Sequence, residues 1–586
     1  MKHLLQILFA ALLLPVNSAF AEEGELNIEP AKSATPKKPS MKINVPPYAL
    51  QNKDFNFPSG LRIVMQADHS QPIVAVTAYV DRGSKDDPVG KEGIAHFVEH
   101  LWFRSEHGDL PKVWNILADM GTSLNASTGD DYTNYMTVAP AEALPALLRL
   151  ESLRITGAVD NVTEEAVDTE REVIRNELRM RKENGFMGAL PYLYQKLYAP
   201  EHPYARGGIG THESLNNIKL EDIQAFVKEN YRPEYTTIAI VGDFDPEQAG
   251  NLIFENISPH LIHPRMTSEH IQRFISSKVP EGVEPDPDNP DHFVLWAIDP
   301  DTNEPLELRD PIVRIPQDEE PPEPTPAFDT SVGTYQAPVE GPTVVVAWSV
   351  PGAYRGSYDQ TMGAASYLAS TMINMHFWDV YEVWHDEPVL PGDWGPIDGG
   401  CFFWASQVDS KIICMLRVKK EEDAERMGVK ILDQMPMLWN PEFREVYLEQ
   451  SFSLAKMQNL SSILNNIDLV ADLYGRSQQL AQHVHYTGSV QMASDSMNQV
   501  MQLEATVVGQ FASQYMRRER AAMVVLTPIP EEERILDSSD SDYHGAQGGD
   551  DAVDSAINPN DITPELVKES MVIPPVEDIV DYTLSN

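Results

Sequence analysis

Residues 96–100 read His-Phe-Val-Glu-His. As a helix, this stretch puts His96 and His100 one turn apart on one face, where a single metal ion can reach both imidazoles. Glu99 lies on the same side, and Phe97, Val98, Leu101 and Trp102 are left to pack into a core. H-x-x-E-H is the inverted order of a common zinc-binding motif. Outward on the N-terminal side, Leu61–Met65 and Ile73–Val80 have the β-branched character of strands, and Asp81-Arg-Gly-Ser84 ends the second. On the C-terminal side the spacing predicts a helix over 110–120 and two strands around a turn at Gly129-Asp-Asp131. A leucine-spaced helix over 141–155 follows, then a long helix from a cap at Asn161 to about Lys182. Helices are also expected at 188–198, 219–229 and 246–257, with a buried strand at 236–241.

The pattern then recurs. Pro342-Thr-Val-Val-Val-Ala-Trp-Ser-Val350 resembles Pro72-Ile-Val-Ala-Val-Thr-Ala-Tyr-Val80, and Ala522–Leu526 resembles Ile238–Val241. Pro72 to Pro246 spans 174 residues and Pro342 to Pro530 spans 188. That spacing predicts an internal duplication: two similar α+β domains, each a mostly antiparallel sheet packed by helices, facing each other across a cleft. The expected divisions are a signal at 1–21, a Pro/Lys-rich leader at 22–49 and a first, metal-bearing domain at 50–265. An acidic, proline-rich linker or insertion follows at 266–340, then the second domain at 341–530 and an acidic flexible tail at 531–586. Within the insertion, His292-Phe-Val-Leu-Trp296 has the character of an added strand.

With 586 residues, 89 of them acidic and 44 basic, the formal net charge is −45. That excludes nucleic-acid binding through a basic surface. An acidic surface attracts cationic peptides, although solubility alone also accounts for the charge. Lys2 and His3 precede an apolar run from Leu4 to Val16, and Ala19-Phe-Ala21 offers a cleavage site before Glu22. The run is short for a membrane span, so export to the periplasm, or secretion, is expected, with no transmembrane anchor after cleavage. The two cysteines, Cys401 and Cys414, flank an expected hairpin; a cross-strand disulfide and two buried thiols both fit.

Catalytic zinc needs three protein ligands and an open position. The long helix after Asn161 offers Glu170 and Glu177, two turns apart on one face, as a ligand and a supporting carboxylate. At this point the chain resembles the pitrilysin, insulin-degrading enzyme and mitochondrial processing peptidase family of inverzincin zinc peptidases, in its shorter bacterial processing-protease branch. The resemblance rests on Asp81–Ser84, Gly93–His100, Leu124-Asn-Ala-Ser-Thr128, Thr133-Asn-Tyr135, His202-Pro-Tyr204, Gly210-Thr-His-Glu213 and Val241-Gly-Asp-Phe-Asp245. It implies one Zn²⁺ per chain held by His96, His100 and Glu177, which lies 77 residues after His100. It also implies Glu99 as general base, Glu170 in support, and pairing of substrate backbone at Asn125 and Ala126.

The second copy has no H-x-x-E-H; its equivalent segment, Tyr367–Asp379, holds only His376. The family often supplies an Arg and a Tyr from that half, and Val380–Trp394 has no such pair, though Tyr381 or His385 could substitute. A homo- or hetero-oligomer with a partner subunit is therefore expected. The resulting reading is an exported zinc endopeptidase acting on peptides or unfolded segments. Its alternative is a zinc-binding subunit with weak turnover that acts in binding or assembly.

Overall fold

The computed structural model describes residues 51–261 and 330–529 apart from short breaks, the longest at 387–395, together with strand segments between 283 and 306. The expected signal, leader and tail and most of the expected insertion lie outside the described residues.

One sheet is built from β1 (Gln51–Asn56), β2 (Arg62–Ala67), β3 (Ile73–Val80), β4 (Ser123–Thr128), β5 (Thr133–Pro140) and β6 (Thr236–Gly242). It is extended by β7 (Val283–Asp286) and β8 (Asn289–Leu295), giving the order β4-β5-β3-β6-β2-β1-β8-β7. The other sheet contains β9 (Val332–Ala337), β10 (Thr343–Pro351), β11 (Pro396–Trp404), β12 (Asp409–Val418) and β13 (Ala521–Pro528), in the order β11-β12-β10-β13-β9. The helices that shape the site are α1 (Ile94–Trp102), α2 (Glu164–Lys182), α3 (Gly185–Leu197), α4 (Gly356–Asp386), α5 (Pro441–Ile467) and α6 (Arg476–Thr487).

Set β4-β5-β3-β6-β2 beside β11-β12-β10-β13-β9 and the duplication is plain. In each, the first three contacts are antiparallel and the last is parallel. The two pairs of similar stretches in the sequence are β3 with β10 and β6 with β13. The fold is α+β, with two similar sheet-containing units.

Both faces of each central strand are buried, which is why these strands read as nearly continuous apolar runs. In β3, Val74, Val76, Ala78 and Val80 join a core with Phe97 and Leu101 of α1. Tyr79, on the opposite face, packs with Leu480, Ala481 and Val484 of α6, a helix from the second half of the chain. The exchange is reciprocal. Leu193, Tyr194 and Leu197 of α3 pack on Val345 and Ala347 of β10 and Val524 and Leu526 of β13. The cleft expected between the units is thus crossed by two exchanged helices. Polar contacts lock the crossing. The buried Lys411 Nζ pairs with Asp130 Oδ2 at 2.8 Å, and Asp131 accepts from Tyr204 Oη at 2.6 Å and Gln407 N at 2.7 Å.

Two local expectations need correction. β9 lies inside the expected linker 266–340, yet it pairs in parallel with β13 from Val332↔Met523 to Ala337↔Pro528. Its polar alternation was lost in acidic, proline-rich surroundings. Asn161 does not cap α2. It sits at φ +54° and donates to the Glu106 carbonyl, while Thr163 Oγ1 accepts the Ala166 amide at 3.2 Å. The segment around His292 forms the expected added strand, β8, which pairs with β1. Cys401 and Cys414 face each other across β11 and β12 and are joined as a disulfide.

Candidate metal centre

The site begins with how α1 is started. Gly93 precedes it at φ +98°, and a Cβ there would meet the Ile209 carbonyl oxygen at 2.7 Å, so glycine is required. Asp87 fastens this end. Its Oδ2 accepts from Gly93 N at 2.6 Å and its Oδ1 from Ala95 N at 3.1 Å. Burial pushes the Asp87 carboxyl up to about 8, against the pull of those two amides and of Arg206. From that start, Ile94, Phe97, Val98 and Leu101 turn into the core. The remaining face carries His96 and Glu99, both buried, and His100, which is half-buried.

α2 packs against α1 through Val167, Ile174 and Leu178. The same periodicity brings Glu170 and Glu177 alongside the histidines. Glu177 Oε2 lies 3.4 Å from His96 Nε2 and 3.4 Å from His100 Nε2, and one ligand atom from each of the three residues falls within 4.8 Å of the others. Donors about 2.1 Å from a zinc ion in a tetrahedron stand about 3.4 Å apart, so these spacings fit the ion. Two imidazoles and a carboxylate also leave a fourth position open. Among the described residues, no other group of three such side chains comes together this way.

Glu170 is 2% exposed. Its Oε2 meets His100 Nδ1 at 3.2 Å and its Oε1 pairs with Arg104 Nε at 2.7 Å. It therefore does both things a helix carboxylate in this position can do. It pairs with an arginine, and it orients the imidazole by its far nitrogen, leaving Nε2 for a metal. Burial alone would pull the His100 imidazole down, but its hydrogen bonds to the Glu170 and Glu177 carboxylates and the charge of Glu99 outweigh it and push the group up to about 10.

Glu99 is held from the sheet side, where Thr128 Oγ1 donates to its Oε2 at 2.5 Å. Thr128 ends β4, which pairs only with β5 among the described residues and so presents an open edge beside the metal ligands. Asn125 and Ala126 lie on this edge strand. The Asn125 Oδ1 accepts from Ala126 N at 2.9 Å and its Nδ2 donates to Tyr474 Oη at 2.7 Å. The expected residues thus collect at one place: His96, His100 and Glu177 around a point, Glu99 beside them, Glu170 behind His100, and Asn125 and Ala126 on the adjoining edge. Sequence reasoning missed Asp87, Arg104, Thr128 and Tyr474. Thr128 was visible as part of a motif, but nothing in the residue pattern tied it to Glu99. The side chains of Tyr381 and His385, and the segment 387–395, lie outside the described residues.

The family profile described as insulinase (peptidase family M16) matches residues 62–202, and the profile for the M16 inactive domain matches residues 217–373. The chain belongs to the M16 peptidase family. It is 29% identical over 210 residues to the zinc protease PqqE of Helicobacter pylori, covering 35% of this chain and 46% of that protein. It is 28% identical over 197 residues to the mitochondrial-processing peptidase subunit beta of Saccharomyces cerevisiae, covering 33% and 41%. The chain spans about half the length of the curated relatives it matches. Among solved structures, a protease from Helicobacter pylori superposes with a TM-score of 0.60 at 19% identity, covering 82% of this chain and all of that one. The periplasmic protease PqqL from Escherichia coli gives a TM-score of 0.56 at 17% identity, covering 83% of this chain and 48% of that one. These likenesses establish the M16 fold. Among the described residues, no helix is long and apolar enough to cross a membrane.

Proposed function

We propose that the chain is an exported zinc endopeptidase that hydrolyses extended peptides or unfolded segments laid along the β4 edge. The observation that carries this reading is the pair of 3.4 Å spacings that set Glu177 against His96 and His100, with Glu99 alongside and an open strand edge adjoining them. His96, His100 and Glu177 would hold one Zn²⁺. When bound, that ion supplies Lewis acidity, polarising a carbonyl and lowering the pKa of water. Glu170 holds the His100 ring by Nδ1, which would leave Nε2 for the ion, and Thr128 keeps the Glu99 carboxylate in place. Glu99 takes a proton from the attacking water as its oxygen adds to the peptide carbonyl carbon, then delivers a proton to the departing amine nitrogen as the C–N bond breaks. The unpaired edge of β4 offers backbone amides and carbonyls to the substrate main chain, which supplies affinity for many sequences.

Export is supported by the signal-like start of the sequence and by the periplasmic protease among the structural neighbours. The acidic balance supports cationic peptides as substrates, and the relative named as a subunit supports work in an oligomer. The test combines metal analysis with a peptide-library digest, comparing the wild type with Glu99→Gln. Zinc in both proteins and cleavage in the wild type alone is the expected result. Equal cleavage by both would overturn the mechanism. Zinc without cleavage in either, alone or with a partner, would favour a binding or assembly subunit, and absence of stoichiometric metal would remove the site altogether.

A further inference from the structure

The loop between α5 and α6 carries Tyr474 from the second unit onto the first, where it meets Asn125, 349 residues away in sequence. The described residues of the loop are tied together. Leu469 O accepts from Arg476 N, Asp472 O accepts from Gly475 N, and Asp472 Oδ1 accepts from Tyr474 N at 2.7 Å. The buried Arg476 closes the loop, with its Nε on the Ile467 carbonyl and its Nη1 on Asp68 Oδ2 at 2.8 Å. Yet the Tyr474 side chain that this loop fixes is 51% exposed. Large apolar rings are seldom so well anchored and so open at once.

Geometry says what such a ring would touch. Along β4, Leu124 and Ala126 face the core that includes α1, and Thr128, in phase with them, reaches Glu99. Asn125 and Ser127 face the other way, and Tyr474 stands on that far side. A peptide paired with the open edge alternates in the same manner. Side chains pointing toward α1 flank the metal ligands, and those pointing away meet Tyr474. Asn125 and Thr128 are three residues apart, a rise of about 10 Å. Because Asn125 Nδ2 donates to the Tyr474 hydroxyl, that hydroxyl keeps its own proton for a peptide carbonyl. Leu464, at the end of α5, and Leu469, at the start of the loop, are also exposed.

We infer that Tyr474 forms a substrate subsite that selects an apolar or aromatic side chain about three residues from the scissile bond of a peptide paired with β4. The inference rests on the peptidase reading and names a specificity that reading leaves open. Tyr474 is a specificity-determining residue, held through Asn125 on the strand.

The experiment uses a peptide series with Leu, Phe, Ser or Asp placed at each position within four residues of a mapped cleavage site. Wild type and Tyr474→Ala are compared by kcat and KM. Binding of the same peptides is measured by fluorescence anisotropy in Glu99→Gln and in Glu99→Gln with Tyr474→Ala. The expected result is a preference of about tenfold or more in KM for Leu or Phe over Asp at one position about three residues from the cleaved bond. That preference disappears in Tyr474→Ala with kcat little changed, and it survives in Tyr474→Phe, which keeps the ring. A wild type with no preference at that position, or a Tyr474→Ala that keeps it, would overturn the inference while leaving the peptidase reading intact. Peptides neither cleaved by wild type nor bound by Glu99→Gln would overturn both.

Discussion

After β3 the first unit places α1, and after β10 the second unit places α4. The strand orders around these helices are the same, but their chemistry differs. α1 presents His96 and His100 toward Glu177 of α2 and Glu99 toward Thr128 of β4. The Tyr367–Asp379 stretch of α4 has His376 as its one histidine, and that side chain is buried. The strands at the corresponding edges differ as well. β4 is open, with Thr128 reaching Glu99. At β11, Asn374 of α4 accepts from Cys401 N and donates to Cys401 O, and the disulfide bolts the strand to β12. Among the described residues, metal ligands and an open edge occur together in the first unit, and the second holds no such ligand group. A shared scaffold therefore says little about activity, which resides in one helix face and one strand edge.

The comparison breaks most visibly if the acid–base group is removed. Glu99→Gln should lower kcat by about a hundredfold to ten-thousandfold while zinc stays bound, measured by peptide turnover and metal analysis. That would make the first unit's α1 as inert as α4 without emptying the site. Glu177→Gln removes a ligand, and the expected outcome is sub-stoichiometric zinc after dialysis with turnover lost in parallel. Retained full zinc content would remove Glu177 from the ligand set.

A third test concerns protons. In the metal-free protein His100 is pushed up to about 10, so below that pH a metal must displace its proton. Affinity for zinc should therefore climb about tenfold per pH unit between pH 6.5 and 9. The sign for the metal-free fold is the reverse. A histidine held above its ordinary 6.5 contributes stability that is full below 6.5 and lost as pH rises through about 10. Glu170→Gln removes the hydrogen-bonding carboxylate behind the ring, so the slope should flatten at lower pH and zinc affinity should drop about tenfold to a hundredfold. Competition titration with a chelator across pH measures both effects.

How much of this could be read from residues alone varies with the kind of contact. β3, β6, β10 and β13 stood out because burial on both faces leaves continuous apolar runs. His96, Glu99 and His100 stood out because helix periodicity puts them on one face; Glu170 and Glu177 stood out as a pair two turns apart, and the family resemblance chose Glu177 between them. The exchange of α3 and α6 did not show. An amphipathic helix declares that one face will be buried, but Leu193 or Leu480 would fit either sheet, and only tertiary packing decides which. Tyr474 was hidden for the same reason, since its partner is 349 residues away. β9 was missed because Gly333-Thr-Tyr-Gln336 alternates weakly beside a strongly acidic, proline-rich stretch.

The smallest expected effect probes the β11 edge of the second unit. The Asn374 amide satisfies the Cys401 amide and carbonyl that a neighbouring strand would otherwise take up. Asn374→Ala should cost about 1–2 kcal/mol, the loss of two hydrogen bonds partly recovered by water, measured by urea unfolding of the oxidised protein. It should leave zinc content and turnover at wild-type levels, because the metal ligands lie on α1 and α2. It should also create no second peptide site. A strand edge freed at β11 has no counterpart of Glu99 and Thr128 beside it, so any peptide that paired there would dissociate uncut. If Asn374→Ala instead lowered turnover as much as Glu170→Gln, the two edges would be coupled through the exchanged helices. The division between an acting unit and a supporting one would then be wrong.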